Sequence, residues 1–142
     1  MTMTQKKTKA QNSGLLPKPP STKNFSDIEL RCTCCGENKM DQSYLVRLQD
    51  IREIFGTPMT LTSAYRCPDH NERISAMKSR TGPHTTGRAV DVAVSHKDAL
   101  RLIRIALERG ITGIGIKQHG DGRFIHLDDL SDGVRPHIWS YT

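Results

Sequence analysis

Two strand-like runs constrain this chain more than any other feature. The first, Arg88 to Val94, alternates so that Val90, Val92 and Val94 take one side and Ala89, Asp91 and Ala93 the other. The second, Phe124 to Asp128, puts Phe124, His126 and Asp128 on a common side. A glycine turn at Gly87 separates Asp91 from His84, seven residues earlier. Brought together by the two strands, His84, Asp91 and His126 supply two imidazoles and a carboxylate around one point. Three protein ligands with a fourth tetrahedral position left open are what catalytic zinc requires, whereas structural zinc is closed by four. Spacing alone fits unrelated surface polar residues, or a histidine satisfied in a core, at least as well; where the three do converge the expected ion is Zn2+, with the rest of the chain as scaffold and cleft.

Residues 1–24 hold Lys6, Lys7, Lys9, Lys18 and Lys23, no acid, and the cluster Pro17, Pro19 and Pro20. Such a stretch buries too little apolar surface to offset its own ordering. A flexible basic arm over 1–24 and one domain over 25–142 are therefore expected. Ser26 and Glu29 have the spacing of a capping box beside Phe25. Asp41 can cap a helix to about Phe55 whose buried stripe is Tyr44, Leu48, Ile51 and Phe55, and Gly56 and Pro58 stop it.

Thr60 to Tyr65 is β-branched and alternating, hence a strand, and Pro68 suits the first turn of a short helix through Met77. Ser95 and Asp98 suggest another capped helix, with Ala99, Leu100, Ile103, Ala106 and Leu107 inward and Gly110 at its end. Ile111 to Lys117 reads as a strand in which Gly113 and Gly115 allow close backbone approach. The turn Gly120-Asp121-Gly122 leads from it into the last strand, and Trp139 is expected in the core. This order gives an α+β fold, a small antiparallel sheet with flanking helices.

Three motifs carry a resemblance: Ser63-x-Tyr65-Arg66, His84-x-x-Gly87-Arg88-Ala89-x-Asp91 and Phe124-x-His126-x-Asp128. They resemble the zinc D-alanyl-D-alanine carboxypeptidase family, which includes phage and bacterial L-alanyl-D-glutamate endopeptidases and shares the hedgehog-type fold. The resemblance runs from about Phe25 to Tyr141. The second motif is its specific part, and Gly113-Ile114-Gly115-Ile116 and Trp139 add weaker agreement. It implies a zinc metallopeptidase acting on bacterial peptidoglycan peptides, of D,D-carboxypeptidase or L-Ala-D-Glu endopeptidase type. The zinc ligands it implies are His84, Asp91 and His126, with Arg66 binding or polarising the substrate carbonyl. A phage lysis enzyme or virion-associated hydrolase, made in the cytoplasm and acting at the cell wall, fits that picture.

Many members of the family place an acidic general base three residues before the last zinc histidine. Here that position holds Arg123, which cannot accept a proton. A subset keeps the His-x-Asp pattern instead, as this chain does, which leaves Asp128 and Asp121 as candidate proton acceptors. Asp128 fits equally well behind His126, holding its second nitrogen. Without a base, the same fold would serve as a zinc-stabilised wall-binding or virion structural module.

Cys32-x-x-Cys35 together with Cys67-x-x-His70 has the spacing of a closed structural zinc site, with Cys34 lying between. Free thiols or a disulfide are the plainer alternatives. His119 and His137 read as solvent or cleft-rim residues, and Asp69, Glu72 and Arg73 as the solvated face of a short helix. The formal charge of +6 comes largely from the arm. No arginine-rich helix or aromatic-plus-basic strand accompanies it, which argues against a nucleic-acid partner. No run nears the roughly eighteen apolar residues of a membrane helix. The first lysines are not followed by the apolar stretch of a secretory signal. A monomer is expected.

Overall fold

Asp41 starts the helix that carries the core. Its carboxylate accepts the N–H groups of Ser43 and Tyr44 at 2.9 and 3.1 Å, satisfying two donors that a first turn leaves free. The helix α2 (Gln42–Phe55) follows, after a one-turn α1 (Asp27–Leu30) whose Ser26–Glu29 capping box forms in both directions. Tyr44, Leu45, Leu48, Ile51 and Phe55 are buried along one face of α2. Each such burial stabilises by roughly 1.5–3 kcal/mol. Gly56, at φ +84°, closes the helix in the left-handed conformation.

The computed structural model of the chain describes residues 18–141. Among these, β1 (Leu61–Ser63), β2 (Ala89–Val92), β3 (Gly113–Lys117), β4 (Phe124–Asp128) and β5 (His137–Ser140) form one sheet in the order β1-β2-β4-β3-β5. The remaining helices are α3 (Pro68–Ile74) and α4 (His96–Glu108), and a 3-10 turn spans Pro83–Thr86. The fold is α+β, as expected. From β1 to β3 every pairing is antiparallel, but β5 lies parallel to β3. The segment after β4 crosses over and returns on the far side of β3, so the sheet is mixed rather than purely antiparallel.

One face of the sheet carries Val90, Val92, Ile114, Ile125 and Leu127, all in the apolar core with α2 and α4. The Tyr44 hydroxyl donates to the Leu127 carbonyl at 2.7 Å, which ties α2 to β4. The other face carries Asp91, His126 and Asp128, and it is free of helices α2 and α4. This two-faced layout puts polar chemistry one residue away from the core along each strand.

Three sequence expectations need correction. In α4 the buried residues are Ala99, Leu102, Ile105 and Ala106, while Leu100 and Leu107 are 72% and 56% exposed. Ser95 makes no side-chain cap bond there, so the expected capping box is not formed. Arg101 instead fixes the rotation: it donates to the Phe55 carbonyl at 2.7 Å and lies over the Phe55 ring at 4.1 Å. Helix α3 stops at Ile74, short of Met77. The residues just before Phe25 are docked on the domain. Residues 1–17 of the expected arm lie outside those described, but Thr22 and Asn24 both bond the Gln49 side chain. Asn38 and Gln42 donate to the carbonyls of Pro20 and Ser21 at 2.9 and 3.0 Å. Side chains of the domain thus satisfy backbone that its composition assigned to water. Among the described residues no helix is long and apolar enough to cross a membrane.

Candidate metal centre

Strand register places the site residues in one row across the sheet. Asp91 faces His126 between β2 and β4, His126 faces Gly115 between β4 and β3, and Gly115 faces Trp139 between β3 and β5. His84 enters from the turn Pro83–Thr86, which ends at Gly87 with φ +78°. The Gly87 carbonyl accepts the Asp41 N–H at 2.9 Å, and a β-carbon at Gly87 would lie 3.0 Å from that nitrogen. The turn that delivers His84 therefore packs on the start of α2 and requires glycine.

Each histidine is oriented from behind. His84 Nδ1 lies 2.7 Å from the Ala64 carbonyl and donates its proton there, leaving Nε2 facing Asp91 Oδ1 at 3.2 Å. His126 Nε2 lies 2.7 Å from Asp128 Oδ2, leaving Nδ1 facing the same Asp91 oxygen at 3.1 Å. With both outward nitrogens protonated, two ring lone pairs and a carboxylate oxygen point inward, and these atoms all lie within 4.8 Å of one another. Lone pairs aimed at a common point repel unless a cation sits among them. The donor set therefore fits zinc, and the oxygens behind the rings are those that ligating histidines use.

Burial agrees with this. His84, Asp91 and His126 are 4%, 5% and 2% exposed. Burial holds His84 below the ordinary histidine value, keeping it neutral as a ligand must be. Burial alone would raise the Asp91 carboxyl, but the two imidazoles hold it far below the usual carboxylate range. Burial would likewise lower His126, yet the Asp128 and Asp91 carboxylates raise it.

Asp128 is fully buried and its oxygens are taken. Arg135 donates to Oδ1 from Nε at 2.8 Å and to Oδ2 from Nη2 at 2.7 Å, and the Leu130 N–H reaches Oδ1 at 3.3 Å. This geometry favours the role behind His126 over that of proton acceptor. Asp121 is exposed in its turn and Arg123 donates to the Gly120 carbonyl at 3.0 Å; neither lines the cleft. Arg66 does line it, with Nε on Ser63 Oγ at 2.9 Å, Nη1 on Asn71 Oδ1 at 3.0 Å and Nη2 on Asp91 Oδ2 at 3.4 Å.

The cleft measures about 1350 Å³, with His84 and Asp91 at its floor. Three of its walls were missed in the sequence: Arg135, Trp139 and Tyr141. Trp139, expected in the core, is half-buried on the polar face, its ring 5.1 Å from that of His126 and 4.9 Å below the Arg135 guanidinium. The only signal for it was the pair of glycines in β3. A β-carbon at Gly115 would lie 2.7 Å from the indole Nε1, and one at Gly113 would collide with Asp128 and Arg135. Of the four residues considered for a second metal, Cys32, Cys35 and Cys67 converge, while His70 lies outside that group with Nε2 3.4 Å from Thr33 Oγ1.

Comparison with known proteins agrees with this geometry. No curated protein matches the chain. The model of a family described as Peptidase M15 matches residues 23–128, from the segment docked on α2 through the end of β4, and includes all three candidate ligands. This chain belongs to the Peptidase M15 family and has its zinc-peptidase fold.

Proposed function

We propose that the protein is a zinc peptidase that cuts the peptides of bacterial peptidoglycan, at a D-Ala-D-Ala or an L-Ala-D-Glu bond. The observation that carries this reading is the convergence of His84 Nε2, Asp91 Oδ1 and His126 Nδ1, with His84 and Asp91 lining an open cleft and His126 buried behind them. Zinc held there supplies Lewis acidity, which activates water and polarises a peptide carbonyl. The chain does the positioning. Arg31, Arg66, Lys117 and Arg135 line the cleft, whereas its carboxylates among the described residues are Glu29 and Asp91. Such a lining suits a peptide rich in carboxylates, as wall stem peptides are. Arg66, pinned by Ser63 and Asn71, presents its guanidinium edge beside Asp91, where it can hold a substrate carbonyl or carboxylate. Asp128 acts through His126, fixing its ring and tautomer.

A second reading has its own support. With Asp128 saturated by Arg135 and His126, and Arg123 turned to Gly120, the cleft offers no uncommitted carboxylate near the ligands among the described residues. A zinc-stabilised module that binds wall without cutting it would look the same. The test is turbidity of a peptidoglycan suspension with and without a chelator, with released peptides identified by mass spectrometry. Chelator-sensitive clearing with new termini is expected, and the termini name the bond. Binding of protein to wall with no new termini would establish the module instead.

A further inference from the structure

Cys32, Cys35 and Cys67 meet at the corner just after Arg66, in a group separate from His84, Asp91 and His126. Their sulfurs lie within 4.8 Å of one another, and none is in a disulfide. Zinc binds thiolates at about 2.3 Å, which sets sulfurs roughly 3.8 Å apart in a tetrahedron, so small side-chain rotations suffice. The backbone is already shaped for it. Gly36, at φ +78°, lets its N–H return to the Cys32 carbonyl at 2.8 Å, and the Cys32 N–H reaches the Glu37 carbonyl at 2.8 Å. The N–H of Cys67 points at the Cys32 sulfur at 3.3 Å. Amides aimed at a sulfur favour the thiolate, the form that binds metal.

We propose that Cys32, Cys35 and Cys67 form a second site for a thiophilic divalent cation, zinc by its ligand chemistry, with solvent at the fourth position. Cys32 and Cys67 are buried and Cys35 is exposed, so the ion is approached from the Cys35 side. Cys34 is excluded because its sulfur accepts from the Arg73 guanidinium at 2.9 Å. The ion clasps the 32–36 loop to the residue that follows Arg66, so it holds a cleft wall in place without touching substrate. The proposal is independent of what the cleft cuts.

Metal content of the full-length protein, purified under reducing conditions, tests it. Two zinc ions per chain are expected, falling to one in Cys35→Ser and staying at two in Cys34→Ser. In the cobalt-substituted protein the near-ultraviolet thiolate-to-metal charge-transfer band should vanish in Cys35→Ser. It should persist in His84→Ala, which loses the other ion, so failure here and failure of the peptidase centre are distinguishable. The assignment is overturned by a parent without the band, by equal metal content in parent and Cys35→Ser, or by metal loss in Cys34→Ser. A non-reduced mass short by two hydrogens, which would mark a disulfide, overturns it as well.

Discussion

Replacing Asp128 by alanine separates a positioning role from a chemical one. The carboxylate accepts two bonds from Arg135, at 2.8 and 2.7 Å, and stands 2.7 Å from His126 Nε2. Its removal leaves a guanidinium that is only 10% exposed without its anion, and a ring N–H without an acceptor. Removing one partner of a buried ion pair costs about 3–5 kcal/mol. Unfolding entropy of about 2 cal/mol/K per residue, summed over 142 residues, converts that to a fall of about 10–18 °C in Tm. Because His126 loses the group that sets its tautomer, zinc affinity should also fall about 10–100-fold. Urea unfolding of the metal-free protein reads the first effect and competition against a chromophoric chelator the second. In the double variant with Arg135→Ala, about 0.5–3 kcal/mol should return, because the stranded charge is gone. The reasoning is refuted if Asp128→Ala abolishes hydrolysis while stability and zinc affinity stay within about twofold of the parent. That result would make Asp128 the proton acceptor.

Other substitutions test other parts of the fold. Gly115→Ala puts a β-carbon 2.7 Å from the Trp139 indole, and should cost about 1–3 kcal/mol. It should also shift the intrinsic emission, since Trp139 is the single tryptophan; unchanged emission would refute the contact. Asp41→Ala removes the cap of α2 and should cost about 0.5–2 kcal/mol in urea unfolding at neutral pH. The Ser43 hydroxyl, the Tyr44 N–H and Arg88 hold the Asp41 carboxyl below its ordinary value. Its charge therefore stabilises the fold above the unfolded-state pKa, and the gap between parent and variant should narrow as pH falls below about 4. Arg66→Lys keeps the charge but cannot serve Ser63, Asn71 and Asp91 together. Hydrolysis should fall at least about tenfold with zinc content unchanged, and an unaltered rate would remove Arg66 from the substrate site.

Alternation and capping reveal burial where one surface alone is available to an element. The stripe Tyr44, Leu48, Ile51 and Phe55 was legible because these residues keep helical spacing, and Asp41 and Gly56 mark the ends of α2 chemically. In α4 two stripes compete, Ala99-Leu102-Ile105-Ala106 and Ala99-Leu100-Ile103-Ala106-Leu107. Spacing does not choose between them, and the choice is made by Arg101, which grips Phe55 on another helix. The strand β5 escaped notice for a related reason. Its residues are mostly exposed and show no alternation, since the strand sits at the sheet edge and is recruited through β3 backbone bonds.

The convergence of His84, Asp91 and His126 could be read because strand alternation and one glycine turn place them whatever surrounds them. The residues behind them could not. A His-x-Asp pair sets both side chains on the same strand face whether the carboxylate meets water or an arginine, so the two roles of Asp128 look identical in sequence. The partner that distinguishes them, Arg135, arrives from a crossover segment seven residues on, over a strand emptied of side chains at Gly113 and Gly115. Those glycines do more than admit a close backbone. By leaving the row opposite Asp128 and His126 vacant, they let Arg135 and Trp139 lie over that row and form a wall of the same cleft that Arg66 lines.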